Sequence, residues 1–402
     1  YVSVEKTVFA GVGNPFHYLE PYPPLYDMLM GILHQSNNSV YWTLKFFNAL
    51  IVSLSIIFFY FFAKAFTSSS KKALFAAFSL FAVPAFLSHF IWAIALTMPL
   101  LFASFYSIEK IKDDKRWWMA SAMVIAPTLT SSPTHSTYFG LFLLIYFIGR
   151  ILAERKMIIH EFLAGFSGLL LSFILWWMPM INAYGFKSLV KNFLGTNPSV
   201  VGIAGTGDRI YTLSDFIFAK DINMINNPIG IGIVLSILTA IGIIFLVLKY
   251  KEMLRKENYS RLVTLLWLVF AFYAVNAARF PIKLSPFRAW MLLAIPVSLL
   301  SGEAISLMEN FAKSLVKSAT KSNMAIAAAS LLMLGILFYG IIATSFIPKY
   351  AVNTAIWPPG GFWTSNEEIQ GYLWLKKSIE PGKKTFTFSN NALILGLDKF
   401  IC

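Results

Sequence analysis

Apolar positions along this chain come in long runs, and the polar positions between them form short clusters dominated by lysine and arginine. The runs near 41–66, 73–86, 91–108, 117–130, 137–153, 161–183, 229–249, 261–277, 289–308 and 323–347 each predict a spanning helix, two of them short. Within them, 46–63, 162–183, 229–248 and 323–347 are almost free of charge. A helix of about 20 such residues crosses a hydrocarbon layer about 30 Å thick. Two segments follow a different pattern. Near the start, Pro21, Pro23 and Pro24 bar a helix until about Leu25, after which Leu25, Met28, Leu29, Ile32 and Leu33 form one apolar stripe at helical spacing. That stripe is too short to span and predicts a helix lying in the membrane interface, with Glu20 held above it on a stiff proline lead and Asp27 turned away from it. Beyond 349 the sequence predicts a capped amphipathic helix, with Thr364 or Ser365 as N-cap, then a Pro-Gly break and a strand.

These patterns divide the chain into 1–40, an outer loop with an interfacial helix; 41–348, a transmembrane helical domain with a long loop at 184–228; and 349–402, the beginning of a soluble α/β domain. Both ends read as continuing beyond Tyr1 and Cys402. The fold class expected is an all-α polytopic membrane protein of about ten spans, followed by the start of that α/β domain.

Composition agrees with the pattern: 57% of residues are apolar and 13% charged, far from the quarter charged of a soluble domain. The net charge of +14 does not point to nucleic acid, because the basic residues sit in short loops between spans. One alternating set of loops holds seventeen lysines and arginines. The other holds eight, Lys6, Lys187, Lys191, Arg209, Lys220, Arg279, Lys283 and Arg288. The first set is therefore expected in the cytoplasm. Residues 1–40, the 184–228 loop and the tail then lie outside. Trp117, Trp118, Trp176, Trp177, Trp290 and Tyr339 fall near span ends, where aromatic side chains anchor helices at the interface. No Asp or Glu occupies the middle of a predicted span, which argues against a proton relay or ion path.

Polar chemistry collects on the outside face: His17, Glu20 and Asp27; His89; the stretch "TLTSSPTHS" at 128–136 with His135; Asp208, Arg209, Asp215 and Asp221; and 277–288. A carboxylate such as Glu20 at lipid level suits a general base toward an acceptor hydroxyl, or a ligand for a divalent cation. An acid that merely neutralises a neighbouring lysine would have the same sequence. Ser132 ahead of Pro133 has the form of a helix cap, and the Gly-, Ser- and Thr-rich 184–228 loop suits a flap over a site.

The stretch "EPYPPLYDMLMGIL", 20–33, resembles the first outer-loop motif of the GT-C superfamily of membrane glycosyltransferases, in the form found in protein O-mannosyltransferases and lipid A aminoarabinose transferases. "RFPIKLSPFRAWMLLAIPVSLLSG", 279–302, is similar to that superfamily's late outer loop and the helix after it, including that of oligosaccharyltransferase catalytic subunits. The layout of loops and spans matches along the whole chain, the motifs only over these stretches. The resemblance implies a GT-C-like helical bundle that transfers a sugar from a polyprenyl-phosphate-linked donor in the bilayer to a protein or glycolipid acceptor. It implies Glu20 as a catalytic acid, with a second first-loop acid ahead of Tyr1. It also implies Arg288, Arg279 and Lys283 as ligands of the donor phosphate, which an arginine fork grips in bidentate fashion. Taken singly, each of these cations also suits a snorkelling anchor.

His17, His89 and His135 are candidate pocket members. The acid-x-acid metal motif of oligosaccharyltransferases is replaced by "FLSHFIWA", 86–93, which offers only His89, and their Trp-Trp-Asp-Tyr-Gly block is missing from "TFTFSNNALIL". Asparagine-linked transfer is thereby disfavoured. A divalent cation, Mg or Mn, shared by Glu20, His89 and His135 is left open. The competing class is a lipid-linked glycan flippase or transporter, or a non-enzymatic membrane assembly protein.

Overall fold

The computed structural model describes residues 25–36, 42–86, 93–187, 210–219, 230–253, 258–280, 284, 286–320, 322–354, 366–380, 384–385 and 400–401. The chain is an integral membrane protein built as a helical bundle. Helix α1 is Leu25–His34, beginning where the proline run ends. Then come α2 (Asn48–Thr67, continuing from a π-helical turn at Thr43–Phe47), α3 (Ser70–Ala82), α4 (Ile94–Lys110), α5 (Trp117–Leu129) and α6 (Pro133–Glu154). Helices α7 (Ile159–Ser172) and α8 (Met178–Tyr184) form one rod through a π turn, Phe173–Trp177. After the short α9 (Leu213–Ile217) follow α10 (Ile233–Leu248), α11 (Tyr250–Met253), α12 (Tyr259–Val275) and α13 (Pro286–Ala319). The helical part closes with α14 (Asn323–Ile341), α15 (Ile347–Thr354) and α16 (Asn366–Ser378). Strands β1 (Lys384–Thr385) and β2 (Phe400–Ile401) pair in parallel.

A helix stands at every predicted span. Among the described residues, Lys45–Thr67, His135–Glu154, Ile159–Asn182, Pro286–Ala319 and Asn323–Ala351 are long and apolar enough to cross a membrane. Trp117–Leu129, Ile233–Leu248 and Tyr259–Val275 are shorter apolar helices. Helix α13 runs well past its predicted end because Glu309 and Lys313 pair one turn apart at 2.6 Å and carry the helix out of the apolar layer.

Helix α13 is the central column, packed against α3, α10, α12 and α14. Two of these contacts depend on glycine. A Cβ on Gly302 would lie 2.8 Å from the Lys72 carbonyl oxygen and the Ala76 nitrogen of α3, and one on Gly242 would lie 2.8 Å from the Leu300 carbonyl oxygen. Small residues permit such backbone approach, which is how helices bind one another where lipid removes the hydrophobic drive. On the other side an aromatic cluster joins α2, α4, α6 and α12. Trp267 stacks on Phe66 and Phe142, and its Nε1–H donates to the Phe142 carbonyl at 2.9 Å. Trp290, expected as an interface anchor, is instead fully buried among Tyr211 and Phe216, whereas Trp117 and Tyr339 are exposed. Residues of the 184–228 loop cover Trp290, which a reading of spans alone leaves bare.

The corners are built locally. Ser68 turns left-handed (φ 53°), and the extended Ser69 accepts the Lys72 N–H at 3.3 Å to cap α3. The basic loops meet at one end of the bundle. There Glu109 of α4, buried, accepts the hydroxyls of Tyr146 (2.7 Å) and Tyr259 (2.5 Å) and pairs with Lys112. Arg150 of α6, also buried, bonds Glu154 at 2.7 Å and Glu161 at 2.8 Å. Among the described residues, Ser132, Ala277–Arg279 and Pro286 lie at the opposite ends of α6, α12 and α13.

Candidate functional site

At the end opposite the lysines, two long helices begin with proline: α6 at Pro133 and α13 at Pro286. Proline at the first helical position is pre-set for the turn, and each helix start presents unbonded N–H groups and the positive end of a dipole. His135 stands in the first turn of α6 and Arg288 in the first turn of α13. The two are close enough for the guanidinium charge to act on the imidazole. Arg288 is half-buried, and His135 is 4% exposed.

The imidazole has one ring nitrogen engaged and one not. Nδ1 lies 3.2 Å from the Ser132 hydroxyl, while Nε2 is buried with no hydrogen-bond partner among the described residues. The Tyr138 ring meets the imidazole edge-on at 6.1 Å between centroids. Ser132 occupies the N-cap position but makes no side-chain cap bond, so its hydroxyl serves the imidazole instead of the expected cap. The other hydroxyls of 128–136 largely satisfy one another and the backbone. Thr97 and Ser131 are 2.8 Å apart, Ser104 and Thr128 3.0 Å, and Ser136 donates to the Thr128 carbonyl at 2.9 Å. All five of these side chains are buried.

Arg279 has a different task. Its Nη2–H donates to the Tyr211 carbonyl at 2.8 Å and so ties the 184–228 loop to the end of α12. Tyr211 then packs edge-on against Trp290 at 5.2 Å, and Phe216 lies 4.7 Å from the same indole. Asp215 accepts from the Thr212 N–H and hydroxyl, both at 2.8 Å, which makes it the cap of α9. The Trp290 Nε1–H, two residues beyond Arg288 in α13, is a further buried donor without an acceptor among the described residues.

The structure thus leaves His135 within reach of the Arg288 charge and ties Arg279 to Tyr211. Glu20, His17, His89 and Lys283 lie outside the described residues. Among those described, no group of three His, Cys, Asp or Glu side chains could hold a metal ion. Sequence reasoning passed over Lys349. Its Nζ donates to the Phe81 carbonyl at 2.7 Å, at the end of α3, and it lies over the rings of Phe81 and Phe86. The available signal was a single lysine just past the 323–347 run, on the side opposite the basic loops.

No protein-family model and no curated protein matches the sequence. Solved structures do. The oligosaccharyltransferase of Archaeoglobus fulgidus, in its apo form, superposes with a TM-score of 0.57 at 13% identity over 99% of this chain. The chain spans 59% of that protein's length. ArnT from Cupriavidus metallidurans, bound to undecaprenyl phosphate, superposes with a TM-score of 0.53 at 12% identity, over 100% of this chain and 79% of its own. The helical bundle therefore has the GT-C-like fold.

Proposed function

We propose that this chain is a membrane glycosyltransferase that moves a sugar from a polyprenyl-phosphate-linked donor onto an acceptor. The observation that carries the reading is a buried, half-satisfied His135 within electrostatic reach of Arg288, each in the first turn of a long helix. In the proposed site the guanidinium, the two dipole ends and the unfilled ring nitrogen line an electropositive recess that takes a phosphate monoester or diester at lipid level. The shared fold supports the same reading, since one of the two structures holds undecaprenyl phosphate.

In the proposed reaction the acceptor oxygen attacks the anomeric carbon, with inversion. The bond from that carbon to the phosphate oxygen breaks, and the lipid phosphate leaves with the electron pair. Arg288 neutralises the charge that grows on the leaving group, and His135 orients it through Nε2. Glu20 takes the proton of the acceptor hydroxyl, alone or with Mg or Mn bound beside His17 and His89. A cation held directly on His135 Nε2 would face the charge of Arg288, so the metal alternative is confined to the other residues. Lys283, as the resemblance implies, would add a further cation for the donor phosphate. We further propose that the lysine-rich end faces the cytoplasm, that the site opens on the extracytoplasmic or luminal face, and that the tail beyond 349 begins a soluble domain there. The acceptor is a protein or glycolipid, in transfer of the aminoarabinose or mannose kind.

The test is sugar release from a polyprenyl-phosphate-linked donor by the purified protein. Arg288→Ala is expected to lower kcat/KM about tenfold to a hundredfold, the worth of a hydrogen bond to a charged group, while Arg288→Lys keeps part of it. Glu20→Gln is expected to lower kcat. Unchanged transfer in both, with altered movement of the lipid-linked sugar across the membrane, would replace this reading with that of a flippase.

A further inference from the structure

The lysine-rich end holds a second electropositive feature, remote from the recess. A cavity of about 60 Å³ opens there among the ends of α2, α3, α10, α12 and α13. Its floor is apolar, formed by the buried Leu246, Leu299 and Leu300. Its rim carries Lys72, Arg261 and Glu303. The single Glu303 carboxylate serves both cations, Lys72 Nζ at 2.6 Å and Arg261 Nη2 at 3.0 Å. Next to them Glu252 lies 3.9 Å from Arg261 and 3.3 Å from Lys249. Three cations therefore face two carboxylates, and one positive charge is left over. The surplus repeats six residues further along α13, where Glu309 is shared by Lys71 and Lys313.

An ammonium carries three N–H donors and a guanidinium five, so one carboxylate leaves most of this donor capacity directed at the cavity and its mouth. Beside the mouth, Ile244, Val247 and Leu248 of α10 are exposed, 58%, 57% and 77%, on the apolar face that a span turns to lipid. A ligand here would set an anionic group between Lys72 and Arg261 and lay hydrocarbon along α10.

We infer that this cavity is a binding site for the phosphodiester headgroup of an anionic glycerophospholipid in the leaflet at the lysine-rich end. Lys72 and Arg261 take the phosphate oxygens, Glu303 keeps the two cations apart at a fixed spacing, and the leucine floor takes the glycerol and first methylenes. Basic pockets between spans select such lipids because each nearby cation adds attraction that zwitterionic headgroups do not return.

The experiment uses the full-length protein in nanodiscs of phosphatidylcholine doped with phosphatidylglycerol, and counts the lipids retained on extraction by native mass spectrometry. The wild type is expected to retain phosphatidylglycerol over phosphatidylcholine by about tenfold or more, from two cations at the headgroup. Lys72→Gln/Arg261→Gln leaves Glu303 without a partner, so a triple variant that adds Glu303→Gln keeps the test valid if the double variant fails to fold. The triple variant is expected to lose the preference, Lys317→Gln, at an exposed lysine of α13, to keep it, and excess inorganic phosphate to leave the lipid in place. Preference retained by the triple variant, lost equally in Lys317→Gln, or abolished by inorganic phosphate would each overturn the assignment, the last in favour of a soluble anion.

Discussion

Glu109→Gln is the sharpest probe of the polar network that closes the lysine-rich end. The carboxylate is 3% exposed and accepts from Tyr146, Tyr259 and Lys112, while Arg150 reaches the same two tyrosines, 5.3 Å from the Tyr259 ring. The amide has nearly the same shape but one acceptor oxygen in place of two. Its NH2 group must then face a hydroxyl or an ammonium that also donates. Lys112 loses its counter-charge at the same time. Breaking a buried pair by removing one partner costs about 3–5 kcal/mol, and because the Lys112 side chain is 33% exposed and regains part of its hydration, the lower end, about 3 kcal/mol, is expected. For a domain of this size that corresponds to a fall in unfolding temperature on the order of 5 °C, read by scanning fluorimetry in nanodiscs. Glu109→Gln/Lys112→Met removes the stranded ammonium as well and is expected to recover part of the loss. If the single variant melts with the wild type and the double variant is strictly additive, the network is solvated and the reasoning fails.

Gly302→Ala is expected to destabilise by about 1–3 kcal/mol, since the new methyl meets α3 backbone, whereas Gly335→Ala, with nothing within 4 Å, should be neutral or slightly stabilising in the same melting assay. His135→Phe is expected to lower kcat/KM for sugar transfer up to about tenfold with an unchanged melting temperature, and His135→Gln to restore part of it. Arg279→Ala releases Tyr211, and limited proteolysis should cut near 210–219 several-fold faster, with the helical core intact.

The helices were legible because apolar runs in a membrane protein report directly on burial in lipid, and every run produced one. Their packing was not. Trp290 sits at a span end as an interface anchor would, and only the fold of the 184–228 loop over it shows why it is inside. Glu109 and Arg150 lie in sequence among loop charges, yet they are buried, because their partners come from α4, α6, α7 and α12 and no local pattern announces that meeting. At the candidate site, Arg288 stands in the first turn of a long helix, and no local sequence pattern announces that its charge reaches His135 from 153 positions away. Arg279 bonds the Tyr211 carbonyl and Asp215 completes the capping box of Thr212, roles that residue type alone does not announce.

The length of α13 joins the two charged features of this chain. At 34 residues and 1.5 Å per residue it is about 51 Å long, and Arg288 and Glu303, fifteen residues apart, are separated by about 22 Å along one axis. A column of that length acts as a lever: a tilt of about 5° around its middle carries each tip sideways by about 2 Å. Any such tilt of α13 would move both ends at once, so a change in sugar transfer on substituting Lys72 and Arg261 is the readout that would reveal coupling along the rod.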